Sequence, residues 1–485
     1  MPTMTNLKFA LLPWAIAAAL SSPVLAAASP PASLEEMWKI IQQQQKEIEA
    51  LKSKASQADA LQEEVKVLKQ GSAPVQATAP AAEPRKATKS DADRKTEILA
   101  TEVEKLKSQL VIPDTREYKS QYGLGPAASN VYRVNRGLSL GGYGEAIYTN
   151  YTGHKGDSRD TFDLLRAVLY AGYKFNDWII LNNEIEFEHA STGEGAEKKG
   201  EVSVEFSQLD FLLHPKANIR AGLMLVPMGF INEMHEPTTF HGTRRPDVER
   251  YIIPATWREM GAGLFGEALP GLQYRVYAMN GLNARNFGSS GIRDGRQGGT
   301  EALAENFAFT GRLDYTPRFA PGLMVGGSAY VGESGQHDPA LGRRGHVMTQ
   351  LYEGHLQWHF RGLELRALGA WGHLGNASML SAVNKQTIGK QNFGWYAEAA
   401  YDLMPLIWQD SSQYLAPFVR YERYDTLANV PAGFADDGSF DRRTYQIGLT
   451  YKPIPNIAIK ADYRNLSSAS GQMPHEFNLG VGFIY

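Results

Sequence analysis

Large apolar side chains alternate with small or polar ones through most of the C-terminal two thirds of this chain. The pattern is cleanest from His475 to Tyr485. Phe477, Leu479, Val481, Phe483 and Tyr485 are large and apolar, and Asn478, Gly480 and Gly482 lie between them. A period of two marks a β-strand with one face buried in apolar surroundings. The same alternation sets Ile457, Ile459, Ala461 and Tyr463 against Lys460, Asp462 and Arg464. It sets Tyr445, Ile447, Leu449 and Tyr451 against Gln446, Gly448 and Thr450, and Leu363, Leu365, Ala367 and Trp371 against Glu364 and Arg366. About sixteen such segments are predicted, beginning near Leu138, Thr161, Trp178, Lys199, Asn218, Glu259, Leu272, Asn306, Leu323, His346, Leu363, Gln391, Tyr414, Thr444, Asn456 and His475. One segment changes phase. Val202, Val204 and Phe206 share one parity and Leu209, Phe211 and Leu213 the other, which predicts a bulge near Ser207-Gln208.

The connections between segments sort by parity. Asn176-Asp177, His214 to Ala217, Pro270-Gly271, Pro317 to Gly322, Arg361-Gly362 and Pro453 to Pro455 are short turns, all from even to odd strands. Leu403 to Gln413 is a longer exception, and the odd-to-even connections are long and polar. An even strand number with short turns at one end and long loops at the other is the pattern of a bacterial transmembrane β-barrel. The fold class expected is therefore all-β, a barrel of about sixteen antiparallel strands over residues 137–485, preceded by an N-terminal α-helical coiled-coil segment. Tyr173, Trp178, Trp358, Trp371, Trp395, Tyr401, Tyr451 and Tyr463 lie near strand ends, where interfacial aromatic girdles would fall. The closing strand, with its terminal aromatic residue, resembles that of outer-membrane barrels.

Ahead of the barrel, Met1 to Ala28 reads as a secretory signal peptide. Lys8 precedes the apolar run Phe9 to Leu20, and small residues follow Pro23. Leu34, Met37, Ile41, Gln44, Ile48, Leu51, Ala55 and Ala58 alternate at spacings of three and four, then Leu61, Val65 and Leu68 shift phase. That predicts a coiled-coil helix over 34–70, a rod of about 55 Å. Residues 71–90 are rich in Ala, Pro, Thr and Ser and read as a flexible linker. Leu99, Val103, Leu106 and Leu110 form one stripe of a short helix over 91–112, which Pro113 ends. With strand one starting at the short-turn end, these helices are expected in the periplasm.

Composition narrows the class further. The mean hydropathy is −0.34. No apolar run beyond the N-terminus approaches the roughly 20 residues that a spanning helix needs. The chain has no cysteine, which fits an exported protein folding without disulfides, and a net charge of −3, which gives no reason to expect nucleic acid as a partner.

Candidate chemistry lies where a barrel lumen would be. The connection Met228 to Arg258 is apolar and punctuated by proline for an exposed loop, with Phe230, Ile231, Phe240, Tyr251, Ile252, Ile253 and Trp257. It suits packing inside the barrel as a constriction. Glu233, His235, Glu236, Arg244, Arg245, Asp247, Glu249, Arg250 and Arg258 are its candidate pore-lining charges. Strand parity turns Arg166, Arg220, Arg275, Arg312, Arg366, Arg420, Lys460 and Arg464 into the lumen, beside Glu184 and Glu186. Fixed guanidinium groups along several strands would form an anion path; the alternative is that each is a structural ion pair. His235-Glu236 with His241 lacks the HExxH spacing, and Pro237 argues against a helix there. Loop packing rather than a metal site is expected. No spacing assembles a catalytic triad, so no enzymatic activity and no cofactor are expected.

The runs DLLRAVLYAGYKF (Asp163 to Phe175), RAGLMLVPMGFINEMHEPTTF (Arg220 to Phe240), RRPDVERYIIPATWREMGAGLFG (Arg244 to Gly266) and PFVRYERYD (Pro417 to Asp425), with the C-terminal strand, resemble bacterial porins, most closely the phosphate-selective porin O and P group. The resemblance implies a homotrimer in outer-membrane lipid, passing small hydrophilic solutes and ions passively through a water-filled barrel. It leaves two other readings open: an anion- or phosphate-selective channel, and a barrel anchor or adhesin with a periplasmic rod. Members of that group line their constriction with an arginine ladder and lysines. Here carboxylates alternate with the arginines, and the loop holds no lysine.

Overall fold

The computed structural model describes residues 119–193 and 199–485. The expected signal peptide, coiled coil, linker and helix over 91–112 lie outside the described residues.

Sixteen wall strands close one antiparallel barrel. They are β1 (Gly137–Gly153), β2 (Thr161–Lys174), β3 (Ile179–Glu188), β4 (Val202–His214), β5 (Ala217–Leu225), β6 (Arg258–Leu269), β7 (Leu272–Asn280), β8 (Phe307–Tyr315), β9 (Leu323–Glu333), β10 (Met348–Phe360), β11 (Leu363–Leu374), β12 (Gln391–Tyr401), β13 (Tyr414–Asn429), β14 (Asp441–Ile454), β15 (Ile457–Ser468) and β17 (His475–Ile484). The two-residue β16 (Gly471–Gln472) extends the hairpin between β15 and β17. Each predicted start falls within three residues of the observed one. Each wall strand pairs with its sequence neighbours, and β17 also pairs with β1, from Tyr143 opposite Ile484 to Gly153 opposite His475. Tyr485 and Gly142 then exchange both backbone hydrogen bonds at 2.9 Å.

The short turns arise from local backbone chemistry. Arg361 and Gly362 take φ of 49° and 85° between the paired residues Phe360 and Leu363. Positive φ at both central residues matches the right-handed twist of the strands it joins, and glycine adopts it without steric cost.

Wall strands turn apolar side chains outward and polar ones inward. Val276, Leu313, Val419, Ile447, Ile459 and Val481 are exposed on the outside, while Arg220, Arg312, Gln446, Thr450 and Asp462 are buried inside. Such an inverted surface is stable only against hydrocarbon. Among the described residues no helix is long and apolar enough to cross a membrane, so the strands do the crossing. Outer aromatics gather at the strand ends. Trp395 packs on Tyr421 at 5.1 Å and Tyr421 on Tyr445 at 4.7 Å, with Tyr352 stacked on Trp371 toward the same end. Tyr173, Trp178 and Tyr401 are exposed toward the other end.

The phase change in β4 comes earlier than expected. Glu184 pairs with Phe206 and Ile185 with Val204, so the extra residue is Glu205, not Ser207 or Gln208. The bulge turns two consecutive side chains inward, and both are 1% exposed. Glu205 reaches Arg258 at 2.7 Å and Phe206 stacks on Tyr170 at 6.0 Å. Hydrophobicity alone sends Phe206 outward, but the lumen holds aromatic residues too.

A charge placed on the outer belt tests this orientation. Ile447→Arg, at the middle of β14, should lower folding stability in lipid vesicles by about 2–4 kcal/mol, and Tyr401→Arg, at a strand end, by about 1 kcal/mol or less. Guanidinium titration followed by tryptophan fluorescence would measure both.

Candidate functional site

The connection between β5 and β6, residues 226–257, folds into the barrel as expected, and most of it is buried. A side chain closes its neck. Asn232 donates to the carbonyls of Val226 at 2.7 Å and Trp257 at 2.9 Å, and accepts from the Trp257 N–H at 2.7 Å. The Glu249 carboxylate braces the interior, accepting from the Ile231 N–H at 2.7 Å and the Tyr396 hydroxyl at 2.6 Å.

The far side of the loop rests on the opposite wall. Lys460 donates to the carbonyls of Phe240 and Gly242, both at 2.8 Å. Arg366 reaches the Thr239 carbonyl at 3.1 Å and Arg420 the Arg244 carbonyl at 3.2 Å. Asp462 accepts from the Thr243 N–H at 2.7 Å, and Asp247 pairs with Arg464 at 2.6 Å. The small inward residues of β17 make room for this contact. A Cβ on Gly482 would lie 2.5 Å from Pro237, and one on Gly480 would lie 2.8 Å from Thr243.

The other candidate residues divide between the two walls. Glu233 pairs with Arg275 at 3.0 Å and sits 3.8 Å from Arg312. His235 faces Glu184 at 3.1 Å and Glu205 at 3.7 Å. His241, six residues on, goes to the opposite wall, with Glu364 at 3.2 Å and Thr450 at 3.1 Å. The sequence neighbours His235 and His241 therefore share no site. Arg166 bridges Glu145 at 2.7 Å and Glu186 at 3.4 Å. Arg220 pairs with Asp210 at 2.8 Å, Arg275 and Arg312 both reach Asp314, and Arg420 lies between Glu398 and Glu422. Most of the wall arginines thus form structural ion pairs, the second of the two readings open from sequence.

Arg244, Arg245, Arg250, Arg293 and Arg296 differ. Among the described residues none has a carboxylate within salt-bridge distance. Arg244 bonds Thr149, Arg293 and Arg296 bond the Ala255 carbonyl, and Arg250 is exposed. Burial, with Arg296, Arg250 and Arg245 close by, pushes the Arg293 guanidinium down to about 9. The charged form is short of compensation there, so an anion would find stabilisation. Arg293 and Arg296 come from the connection 281–306, which carries no periodic signal in the sequence.

A second segment inside the lumen is not expected from the sequence. Residues 121–133, just ahead of β1, enter at the short-turn end. Leu124, Ala127, Ala128, Val131 and Tyr132 are buried against Tyr143, Val168, Tyr170, Ile180 and Phe206 of the wall. The Tyr132 hydroxyl donates to Asp210 at 2.5 Å, Asn182 donates to the Ala128 carbonyl at 3.0 Å, and Glu236 accepts from the Ala127 N–H at 2.9 Å. The Gly-Leu-Gly-Pro-Ala-Ala run at 123–128 is the sequence signal that could have marked it: small residues allow close backbone approach.

Together the two segments cross the lumen, so wall charges that would line open water are buried: Arg166, Arg312 and Arg464 are 7%, 3% and 4% exposed. On the β7–β13 side the filling is apolar, where Phe230, Ile253 and Trp257 meet Leu282, Phe287, Leu341 and Leu380 from three outer connections. Space remains toward the short-turn end. A cavity of about 240 Å³ is lined by Thr238, His241, Glu364, Arg366 and Lys452, and one of about 260 Å³ shares Thr238 and Lys452 with it.

Arg464→Met would leave Asp247 buried and unpaired, and should cost about 3–5 kcal/mol of stability. Pairing it with Asp247→Leu should recover more than half of that loss in the same unfolding titration.

No family model matches the sequence. A protein of Aquifex aeolicus (strain VF5), carrying the description "uncharacterized protein", is 38% identical over 372 residues, 74% of this chain and 82% of its own. Among solved structures, Salmonella typhi OmpF in complex with daunomycin aligns with a TM-score of 0.50 at 13% identity, over 72% of this chain and 98% of its own. The anion-selective porin from Comamonas acidovorans aligns with a TM-score of 0.44 at 12% identity, over 72% and 99%. At such identity the OmpF likeness is one of fold.

Proposed function

The chain belongs to one family with the Aquifex aeolicus protein and has the barrel fold of an outer-membrane porin, and from that premise we propose that it is an outer-membrane channel for passive diffusion of small hydrophilic solutes and ions. The observation that carries the reading is the internal loop. A closed barrel, apolar outside and charged inside, sends the connection after β5 across its own lumen, which is how a wall of fixed diameter becomes a selective constriction. The segment 121–133 narrows the short-turn half further. Trimeric assembly belongs to the same proposal.

A second reading within transport is anion preference, favoured by four arginines without carboxylate partners, Arg245, Arg250, Arg293 and Arg296, where the loop meets the connection 281–306. Phosphate is one anion that such a cluster would attract, and guanidinium geometry suits it. The anchor reading draws on the filling of the lumen.

Single-channel conductance in a planar bilayer, with reversal potential under a salt gradient, separates these readings. A conducting protein should show small steps in groups of three, and a chain starting at Arg136 behind its signal should show larger ones. A folded, heat-modifiable barrel that never conducts in either form would remove the channel reading in favour of the anchor. One charge within about 4 Å of a passing ion is worth about 1 kcal/mol in water. Arg250→Gln combined with Arg293→Gln should therefore lower the anion-to-cation permeability ratio by about fivefold or more.

A further inference from the structure

We propose that Glu184, Glu205 and His235 form a binding site for a divalent transition-metal cation, with Zn²⁺ as the best fit, which pins the constriction loop to the barrel wall. Glu184 comes from β3, Glu205 from the bulge in β4 and His235 from the loop, so chain folding alone brings them together. One ligand atom from each lies within 4.8 Å of the others, and all three residues are buried.

The hydrogen bonding of the imidazole makes the case. His235 Nδ1 lies 3.1 Å from the Asn232 carbonyl, which can only accept, so Nδ1 carries a proton. In the neutral ring the Nε2 lone pair then points at two carboxylate oxygens, Glu184 Oε1 at 3.1 Å and Glu205 Oε2 at 3.7 Å. Three electron-pair donors converge on one buried spot. Glu184 Oε2 and Glu205 Oε2 are both buried without any hydrogen-bond partner. Buried oxygens of that kind are costly unless a cation meets them.

The spacing fits a small tetrahedral ion. Zn–N and Zn–O bonds of about 2.0–2.1 Å put neighbouring donors about 3.3 Å apart, close to the two distances seen. One imidazole and two carboxylates form a donor set for zinc rather than for calcium or magnesium, which take oxygen ligands. The surrounding groups are those that orient ligands. The Asn232 carbonyl fixes the tautomer, the Tyr143 hydroxyl donates to Glu184 Oε1 at 3.3 Å, and Arg258 holds Glu205 Oε1 at 2.7 Å. Asn232 also ties the neck of the loop, so the ligand is carried on a rigid base. The competing arrangement is a doubly protonated imidazole held by the two carboxylates, with no metal.

The experiment uses untagged full-length protein, stripped with EDTA and dialysed against micromolar Zn²⁺, with bound zinc read by plasma emission. Wild type should retain one zinc per chain. His235→Ala and Glu205→Gln should each weaken binding by about tenfold or more. His241→Ala, which alters the histidine of the opposite wall, should bind as wild type does. Heat-modifiable migration confirms folding of each variant. Should the variants fail to fold, Co²⁺ loaded into wild type should give the visible absorption of a tetrahedral N/O site. A folded wild type that binds no zinc above background, or zinc that survives His235→Ala undiminished, overturns the site and leaves the protonated ion pair in its place.

Discussion

A strand facing hydrocarbon must have every backbone hydrogen bond satisfied within the protein, and closure of β17 on β1 meets that demand here. The pair of bonds between Tyr485 and Gly142 finishes the seam at the terminal residue. An open edge in lipid would leave unpaired N–H and C=O groups at several kcal/mol each. Closure also creates an inside and an outside, and the alternation of side chains along each strand then has only one stable sense. Apolar residues meet lipid, and polar residues meet each other.

Charge organises the interior. The lumen holds arginines, lysines and carboxylates in a space too full for bulk water to screen them. Arg166 with Glu145 and Glu186, Arg220 with Asp210, and Arg464 with Asp247 and Glu476 are the result. Loop and wall exchange these partners, with Asp247 and Glu233 from the loop meeting Arg464 and Arg275 from the wall. The same contacts that neutralise the wall therefore fix the loop. Four arginines left without such partners, Arg245, Arg250, Arg293 and Arg296, lie close together where loop 226–257 meets the connection 281–306.

Two further features tie the loop to the wall. Glycines at 480 and 482 leave room for Thr243 and Pro237 of the loop against β17, and the carboxylates of Glu184 and Glu205 receive His235 at the other side. The segment 121–133 adds a third contact through Glu236, so that segment and the loop are held together.

The strand count, the strand starts to within three residues, the parity of the connections and the inward folding of the loop were all legible in the sequence. Each depends on local periodicity or on the composition of one segment, and a period of two in lipid has one interpretation. The bulge at Glu205 falls elsewhere than expected because hydrophobicity sends Phe206 outward, whereas the lumen offers it Tyr170. The insertion of residues 121–133 escapes a sequence reading because small residues carry no periodic signal. The roles of individual charges could not be read at all. Whether Arg220 lines a path or pairs with Asp210 depends on which strands and loops face each other across the lumen. His235 and His241 stand six residues apart in sequence and lie on opposite walls in space. The face a side chain takes is a property of the sequence, because it is decided within one strand; closure and loop packing decide its partner, because the partner comes from far along the chain.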